Sequence, residues 1–116
     1  MSEAIVPVEQ CTIEFYGDEL VAVRGEDGTV WIPVRQLCDA IGVSRQGQMD
    51  RIARDPILGE ELRSGSVTLP DGRTYEMSCL PLKFVRGWLF GINATRIKPE
   101  IRDKLIQYQR EVIEIR

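Results

Sequence analysis

Residues 34–54, VRQLCDAIGVSRQGQMDRIAR, decide how the rest of the chain is interpreted. Four apolar residues in their first half recur at the spacing of one buried helical stripe: Val34, Leu37, Cys38 and Ile41. Gly42 stands where a left-handed residue ends a helix. Ser44 is a good N-cap for a second helix, which should stop near Arg54 because the residue before Pro56 avoids helical dihedrals. Two short helices joined by a glycine-containing turn are the outline of a helix-turn-helix.

The chain before this segment predicts an antiparallel meander. Residues 12–16, 20–24 and 29–34 are rich in strand-forming side chains, and turn residues separate them. The pair Asp27-Gly28 is a strong signal for a two-residue turn. Three strands are therefore expected ahead of the first helix.

The chain after it predicts a second hairpin and a buried helix. Residues 66–77 alternate around the Pro-Asp-Gly turn at 70–72, and a hairpin directly after a helix-turn-helix is typical of a wing. A helix follows from Pro81 to about Ile92, because proline suits the first helical turn. The predicted fold class is α+β, with a meander, a winged helix-turn-helix-like core and a long C-terminal helix.

The last helix is expected from about Pro99. Its apolar residues recur at alternating steps of four and three, a heptad spacing: Ile101, Leu105, Tyr108, Val112 and Ile115. The stripe either docks on the helix at 81–92 or forms a dimer or partner interface. A twofold dimer would place two recognition helices about 34 Å apart, on successive major grooves. The pattern is unbroken at Arg116, which indicates either a frayed terminus or, as we favour, the N-terminal part of a longer protein.

Composition narrows the function classes. At 116 residues we expect one domain, and no apolar stretch or leader pattern predicts membrane insertion or export, so we expect a cytoplasmic protein. The three cysteines have neither disulfide nor zinc spacing, and the chain contains no histidine. Without imidazole, paired carboxylates or a phosphate-binding loop, we expect no enzyme, no cofactor and no metal. We expect Trp31, Trp88 and the cysteines to be core residues.

Charge is unevenly distributed along the chain. The net charge is −3, but residues 1–30 carry −6 and residues 31–116 carry +3. An acidic first quarter would repel DNA and could complement the basic face of a repressor protein, whereas the basic remainder suits a polyanion. Both double-stranded DNA and a repressor protein therefore stay open as partners.

The second predicted helix carries the candidate binding residues. Arginine can donate two hydrogen bonds to guanine, and glutamine can pair in the same way with adenine in the major groove. The predicted DNA-binding set includes one hairpin residue that would contact phosphate: Ser44, Arg45, Gln46, Gln48, Arg51, Arg54 and Arg73. The alternative is an ordinary solvated helix face, because arginine and glutamine are also good surface helix formers.

A family resemblance rests on several short segments taken together. They are PVRQLCDAIG at 33–42, Gln48, Arg51, Asp55-Pro56, LPL at 80–82, GWLF at 87–90, Arg96, KPE at 98–100 and Tyr108-Gln109. With these, the chain resembles the phage antirepressor N-terminal domain family, which is related to the Bro family N-terminal domains. The resemblance implies a phage or prophage transcriptional regulator module that binds DNA. It equally implies the alternative of an antirepressor that binds and inactivates a phage repressor protein.

Overall fold

The computed structural model describes residues 4–15, 18–92, 102, 103 and 106. Its elements follow in this order: β1 Pro7–Phe15, β2 Asp18–Gly25, β3 Val30–Pro33, α1 Val34–Ile41, α2 Arg45–Arg54, α3 Leu58–Glu61, β4 Arg63–Thr68, β5 Thr74–Pro81 and α4 Leu82–Phe90. The fold is α+β, as the sequence predicts. The meander, both central helices, the second hairpin and the helix after Pro81 are all confirmed.

All five strands form one antiparallel sheet in the order β1-β2-β3-β5-β4. The hairpin predicted as a wing is therefore part of the main sheet, because β5 pairs with β3 from Cys79 to Pro81. A separate winged helix-turn-helix core is not confirmed. The sequence does not show this pairing, since a hairpin pattern specifies its own two strands and not their neighbour.

The sheet curls until its two edge strands meet. The side-chain amide of Gln10 in β1 accepts a hydrogen bond from the Thr68 backbone N–H (2.9 Å) and donates one to the Thr68 carbonyl (2.7 Å). Before β1, the Ile5 backbone N–H donates to the Ser64 carbonyl at 2.8 Å. Ile5 also packs so closely on Gly65 that an added Cβ there would lie 2.9 Å from its Cδ1 atom. Both edges are partly covered as a result.

The core is divided between the two faces of this sheet. On one face the helices pack against strand residues such as Leu20, Ala22 and Leu80. The other face holds a smaller cluster: Ile5, Val23, Val67, Met77 and Cys79. The strict alternation of side chains along a strand separates the two clusters.

The helix ends follow the predicted local chemistry. Gly42 adopts a left-handed conformation with φ 91°, and the Ser44 hydroxyl accepts a hydrogen bond from the Gly47 N–H at 3.0 Å. The short helix α3 was not predicted. The Asp55 side chain initiates it by accepting hydrogen bonds from the Ile57 and Leu58 N–H groups, both at 2.9 Å.

The predicted C-terminal interface lies outside the described residues. This holds for all five of its positions: Ile101, Leu105, Tyr108, Val112 and Ile115. Most of the predicted long C-terminal helix lies outside them as well. The dimer therefore stays a prediction.

Candidate nucleic-acid interface

Helix α2 is the least buried of the three longer helices within residues 4–92, apart from the gap at 16–17. Ile52 is its only buried residue, whereas α1 buries four and α4 three. Its first three residues and the Ser44 cap are exposed, as are Asp50, Ala53 and Arg54. The structure thus gives α2 a broad solvent-facing side, which a groove-binding helix requires.

Arg45, the first residue of α2, forms an ion pair with Asp39 of α1. Its Nε donates to Asp39 Oδ1 at 2.7 Å and its Nη2 to Oδ2 at 2.6 Å. This bond holds the pKa of Asp39 below its ordinary value and raises the pKa of Arg45. Both side chains stay about half exposed, at 51% for Arg45 and 48% for Asp39. The guanidinium fork is occupied but remains at the surface.

The two other exposed donors of α2 differ from each other. The Gln46 amide donates to Asp50 Oδ1 at 2.9 Å, one turn along the same helix. Arg54 is exposed in the last turn and forms no hydrogen bond or ion pair within the part of the chain that the structure describes. Arg54 is therefore the most available cation on this helix.

Gln48 and Arg51 turn away from the exposed side and join α2 to α4. Gln48 Oε1 accepts from Trp88 Nε1 at 3.1 Å and from Arg51 Nε at 3.0 Å. Arg51 Nη2 donates to the Trp88 carbonyl at 2.7 Å. Burial lowers the pKa of Arg51. These two predicted base-contacting side chains are therefore used in helix packing in the free protein.

Gly91 makes room for Arg51 at the end of α4. A Cβ atom at this position would lie only 2.1 Å from Arg51 Nη1. Its φ of −80° is an ordinary value, so a side chain here would act by displacing the Arg51 guanidinium and not by straining the backbone. The guanidinium thus lies at the C-terminal end of a helix, where carbonyl groups favour a positive charge.

A groove of about 210 Å³ separates α2 from strand β5. Its lining residues come from α1, α2 and β5: Val34, Arg35, Arg45, Met49, Glu76, Met77 and Ser78. Arg35 and Arg45 are both exposed here. Strand β3 ends at Pro33 and α1 begins at the next residue, so the first turn of α1 lies beside β5.

The hairpin tip adds further polar groups beside this groove. The Arg35 guanidinium lies 5.7 Å from the centre of the Tyr75 ring, a cation–π distance. The Tyr75 hydroxyl donates to Asp71 Oδ2 at 2.6 Å, which raises the pKa of the tyrosine, and the Arg73 side chain beside it acts in the opposite direction. The predicted phosphate contact Arg73 is thus close to Arg35, a residue outside the predicted set.

The acidic residues of β1 and β2 are divided between the two faces of the sheet: alternation places Glu9 and Asp18 on the helix side, and Glu14 and Glu19 on the face away from α2. Glu14 and Glu19 are directly opposite each other across β1 and β2, and both are exposed. Since Cys11 and Ile13 pack toward the helices, the alternation of β1 directs Glu14 to the opposite face. Glu9, on the helix side, forms an ion pair with Arg24.

Two of the three cysteines lie in the core, as predicted, whereas Cys11 is only partly buried. Burial raises the pKa of Cys38 to about 11 and that of Cys79 to about 12. Within the described ranges, no three cysteine, histidine or acidic side chains are grouped to hold a metal ion. No helix among these residues is long and apolar enough to span a bilayer.

The sequence contained part of the signal for the α2–α4 contact. Gln48 precedes the buried Ile52 by four residues and so shares its face of the helix. That spacing identifies Gln48 as inward-facing, but the contact with Trp88 depends on a helix that lies 40 residues further along the chain. No sequence pattern indicated that Arg35 and Tyr75 lie together, because their contact depends on the pairing of β3 with β5.

The family model described as the P22_AR N-terminal domain matches residues 11–115. The chain belongs to this family. The resemblance noted in the sequence is thereby confirmed, and membership of a phage antirepressor N-terminal family points to a role in phage regulation. No curated protein and no solved structure gives a significant match. The match to the P22_AR N-terminal domain includes both α2 and the β4–β5 hairpin.

Proposed function

We propose that this P22_AR N-terminal domain is a non-enzymatic regulatory module that binds duplex DNA through the exposed side of α2. The hairpin and the first turn of α1 provide secondary contacts. The observation that carries the proposal is the exposure of α2, which buries only Ile52 and exposes Arg45 and Arg54 at its two ends. Arg35 and Arg73 extend this basic surface along the groove and the hairpin.

Phosphate contacts supply most of the affinity in this proposal. Gln48 and Arg51 are bonded to Trp88, which leaves Gln46 and Arg54 as the α2 side chains best placed to contact bases. Four carboxylates, Asp39, Asp50, Asp71 and Glu76, lie among the cations of the same region. The net charge of −3 also disfavours a polyanion, so binding should be weak and strongly dependent on salt.

Duplex titrations at two salt concentrations test the proposal. The double variant R45A/R54A should bind more weakly, and the slope of log K against log salt should become shallower by about 1.8, from about 0.9 per lost phosphate contact. R24A is a control for the loss of one positive charge away from α2, because Arg24 lies on β2 in an ion pair with Glu9, and it should leave the slope unchanged. Absence of binding by the unmodified protein up to high micromolar concentration contradicts the proposal.

A protein partner is the second candidate, and one specific observation favours it. Glu14 and Glu19 face each other across neighbouring strands, an arrangement that costs stability. The arrangement is explained if the two carboxylates bind the basic surface of a repressor, whose positive charge would offset their mutual repulsion. The variant E14Q/E19Q should then fold at least as stably and lose binding in a pull-down with the products of neighbouring phage genes. Unchanged capture would exclude this surface as the contact.

Self-association through the C-terminal stripe is proposed separately. In the variant L105E/V112E, a folded monomer would support a dimer interface, whereas an unfolded chain would assign the stripe to the core of the domain. Light scattering of the unmodified protein should give twice the chain mass of 13.2 kDa. A mass near that of one chain at high concentration excludes the dimer.

A further inference from the structure

Asp39 occupies a position that suits an anion. Its carboxylate accepts both hydrogen bonds of the Arg45 guanidinium, at 2.7 and 2.6 Å. Arg35, exposed one turn earlier on α1, also lowers the pKa of Asp39 through its charge. A negative group therefore lies in the field of two arginines, at the start of α2.

We propose that the Asp39 carboxylate occupies, in the free protein, the position that a DNA backbone phosphate takes at Arg45 in the complex. The inference rests on the proposed DNA-binding function. It adds to that function the site of one phosphate contact, at Arg45, and a residue that lowers the affinity for DNA, Asp39. Carboxylate and phosphate both accept the paired N–H groups of an arginine fork, so one can replace the other without moving the helix.

The exchange is feasible because the ion pair is at the surface. Both partners are about half exposed, and within the part of the chain that the structure describes the Asp39 side chain forms hydrogen bonds only with Arg45. Exposed pairs of this kind contribute little to stability, so a phosphate can displace the carboxylate at small cost. The displaced Asp39 then repels the same phosphate. Asp39 therefore lowers the affinity of the free domain for any duplex, whatever its sequence.

The variant D39N tests this role against a charge-matched control. D39N removes one negative charge and releases Arg45. E76Q removes one negative charge from the same groove, but the Glu76 carboxylate accepts hydrogen bonds from Ser64 (2.6 Å) and Ser66 (2.5 Å) and holds no arginine. A difference between the two variants thus reports the release of Arg45 and not the change in net charge.

We expect D39N to bind a nonspecific duplex up to about fivefold more tightly than the unmodified protein, the upper range for an exposed ion pair. E76Q should gain less than about twofold at physiological salt, where exposed charges are largely screened. In an R45A background the gain from D39N should fall to that of E76Q, the effect of one charge alone. Thermal unfolding of each variant confirms that it is folded.

Equal gains in D39N and E76Q, or a D39N gain that stays above that of E76Q without Arg45, overturn the inference and leave the proposed function standing. If neither the unmodified protein nor D39N binds duplex, the proposed function fails and the inference fails with it. A D39N gain that exceeds the E76Q gain only when Arg45 is present supports both.

Discussion

The N-terminal end of α2 and the side of α2 that faces α4 carry the same kinds of side chain and use them differently. At the N-terminal end, Arg45 and Gln46 are exposed and form hydrogen bonds with carboxylates at the surface. On the side that faces α4, Gln48 and Arg51 are half-buried and form hydrogen bonds with Trp88. One arginine and one glutamine thus serve each role, at positions only a few residues apart.

The difference shows that residue type alone does not identify a recognition surface. Arginine and glutamine can contact bases, yet a glutamine oxygen can equally accept from a buried indole N–H, and an arginine can equally donate to a helix-terminal carbonyl. A donor already bonded to the core must lose those bonds before it contacts DNA. Arg45 and Gln46 can change partners at low cost and Arg54 can bind a new one, whereas Gln48 and Arg51 must first lose their bonds to Trp88.

The largest effect is expected from R51A. The variant loses a charge-assisted hydrogen bond to the Trp88 carbonyl and leaves space beside Gly91, so the free energy of unfolding should fall by about 2–3 kcal/mol. R54A, on the same helix, is the control and should change it by less than about 0.5 kcal/mol. Urea denaturation measures both. Equal stability of the two variants would remove the distinction between the side of α2 that faces α4 and its exposed residues.

Q48A should have a smaller effect of the same kind. It leaves the Nε1–H of the fully buried Trp88 without its acceptor, which should cost about 1–2 kcal/mol of folding stability. Q46A removes the same side chain two residues earlier, where it bonds only the exposed Asp50, and should be nearly neutral. Tryptophan fluorescence during unfolding follows both variants, and a neutral Q48A would show that water satisfies the indole.

The sequence predicts the local structure of each segment better than it predicts which segments pack against each other. The turns at Gly42 and Gly72, both with positive φ, were identified because glycine marks such positions. The helix pattern of α1 was equally clear, since its four buried residues follow one stripe. These features depend on residues close together in the chain.

The rest of the fold depends on contacts between distant residues. The pairing of β3 with β5 joins positions almost 50 residues apart, as in Pro33 and Cys79, and it determines where Arg35 meets Tyr75. The Arg51–Trp88 bond likewise spans 37 residues. Helical periodicity indicates which side of α2 is apolar but not which helix lies beside it, so the sequence did not show that Gln48 and Arg51 contact Trp88.

G91A should have a moderate effect that depends on Arg51. The added methyl group would overlap Arg51 Nη1 and displace the guanidinium from the Trp88 carbonyl, at a cost of about 1 kcal/mol. In an R51A background the same change should be neutral or slightly stabilising, because alanine favours helix over glycine. A thermal-unfolding double-mutant cycle measures this coupling. Additive effects would mean that Gly91 and Arg51 do not share the space.

The smallest effect is expected at Asp39 and is seen in its titration. The hydrogen bond from Arg45 holds the pKa of Asp39 below its ordinary value, so R45A should raise that pKa toward the ordinary value. A carboxyl whose pKa is lowered by folding stabilises the protein above its unfolded pKa. That contribution is lost as the pH falls through the folded pKa. The Arg45–Asp39 pair should therefore weaken only in acid. The Gln48–Arg51–Trp88 contacts should persist there, because neither an amide nor a guanidinium titrates in that range.

Carboxyl-carbon NMR of Asp39 between neutral pH and pH 2, with and without Arg45, measures the shift. An unchanged Asp39 pKa in R45A would show that Asp39 does not hold Arg45 in solution. Arg45 would then be unpaired and available to a binding partner.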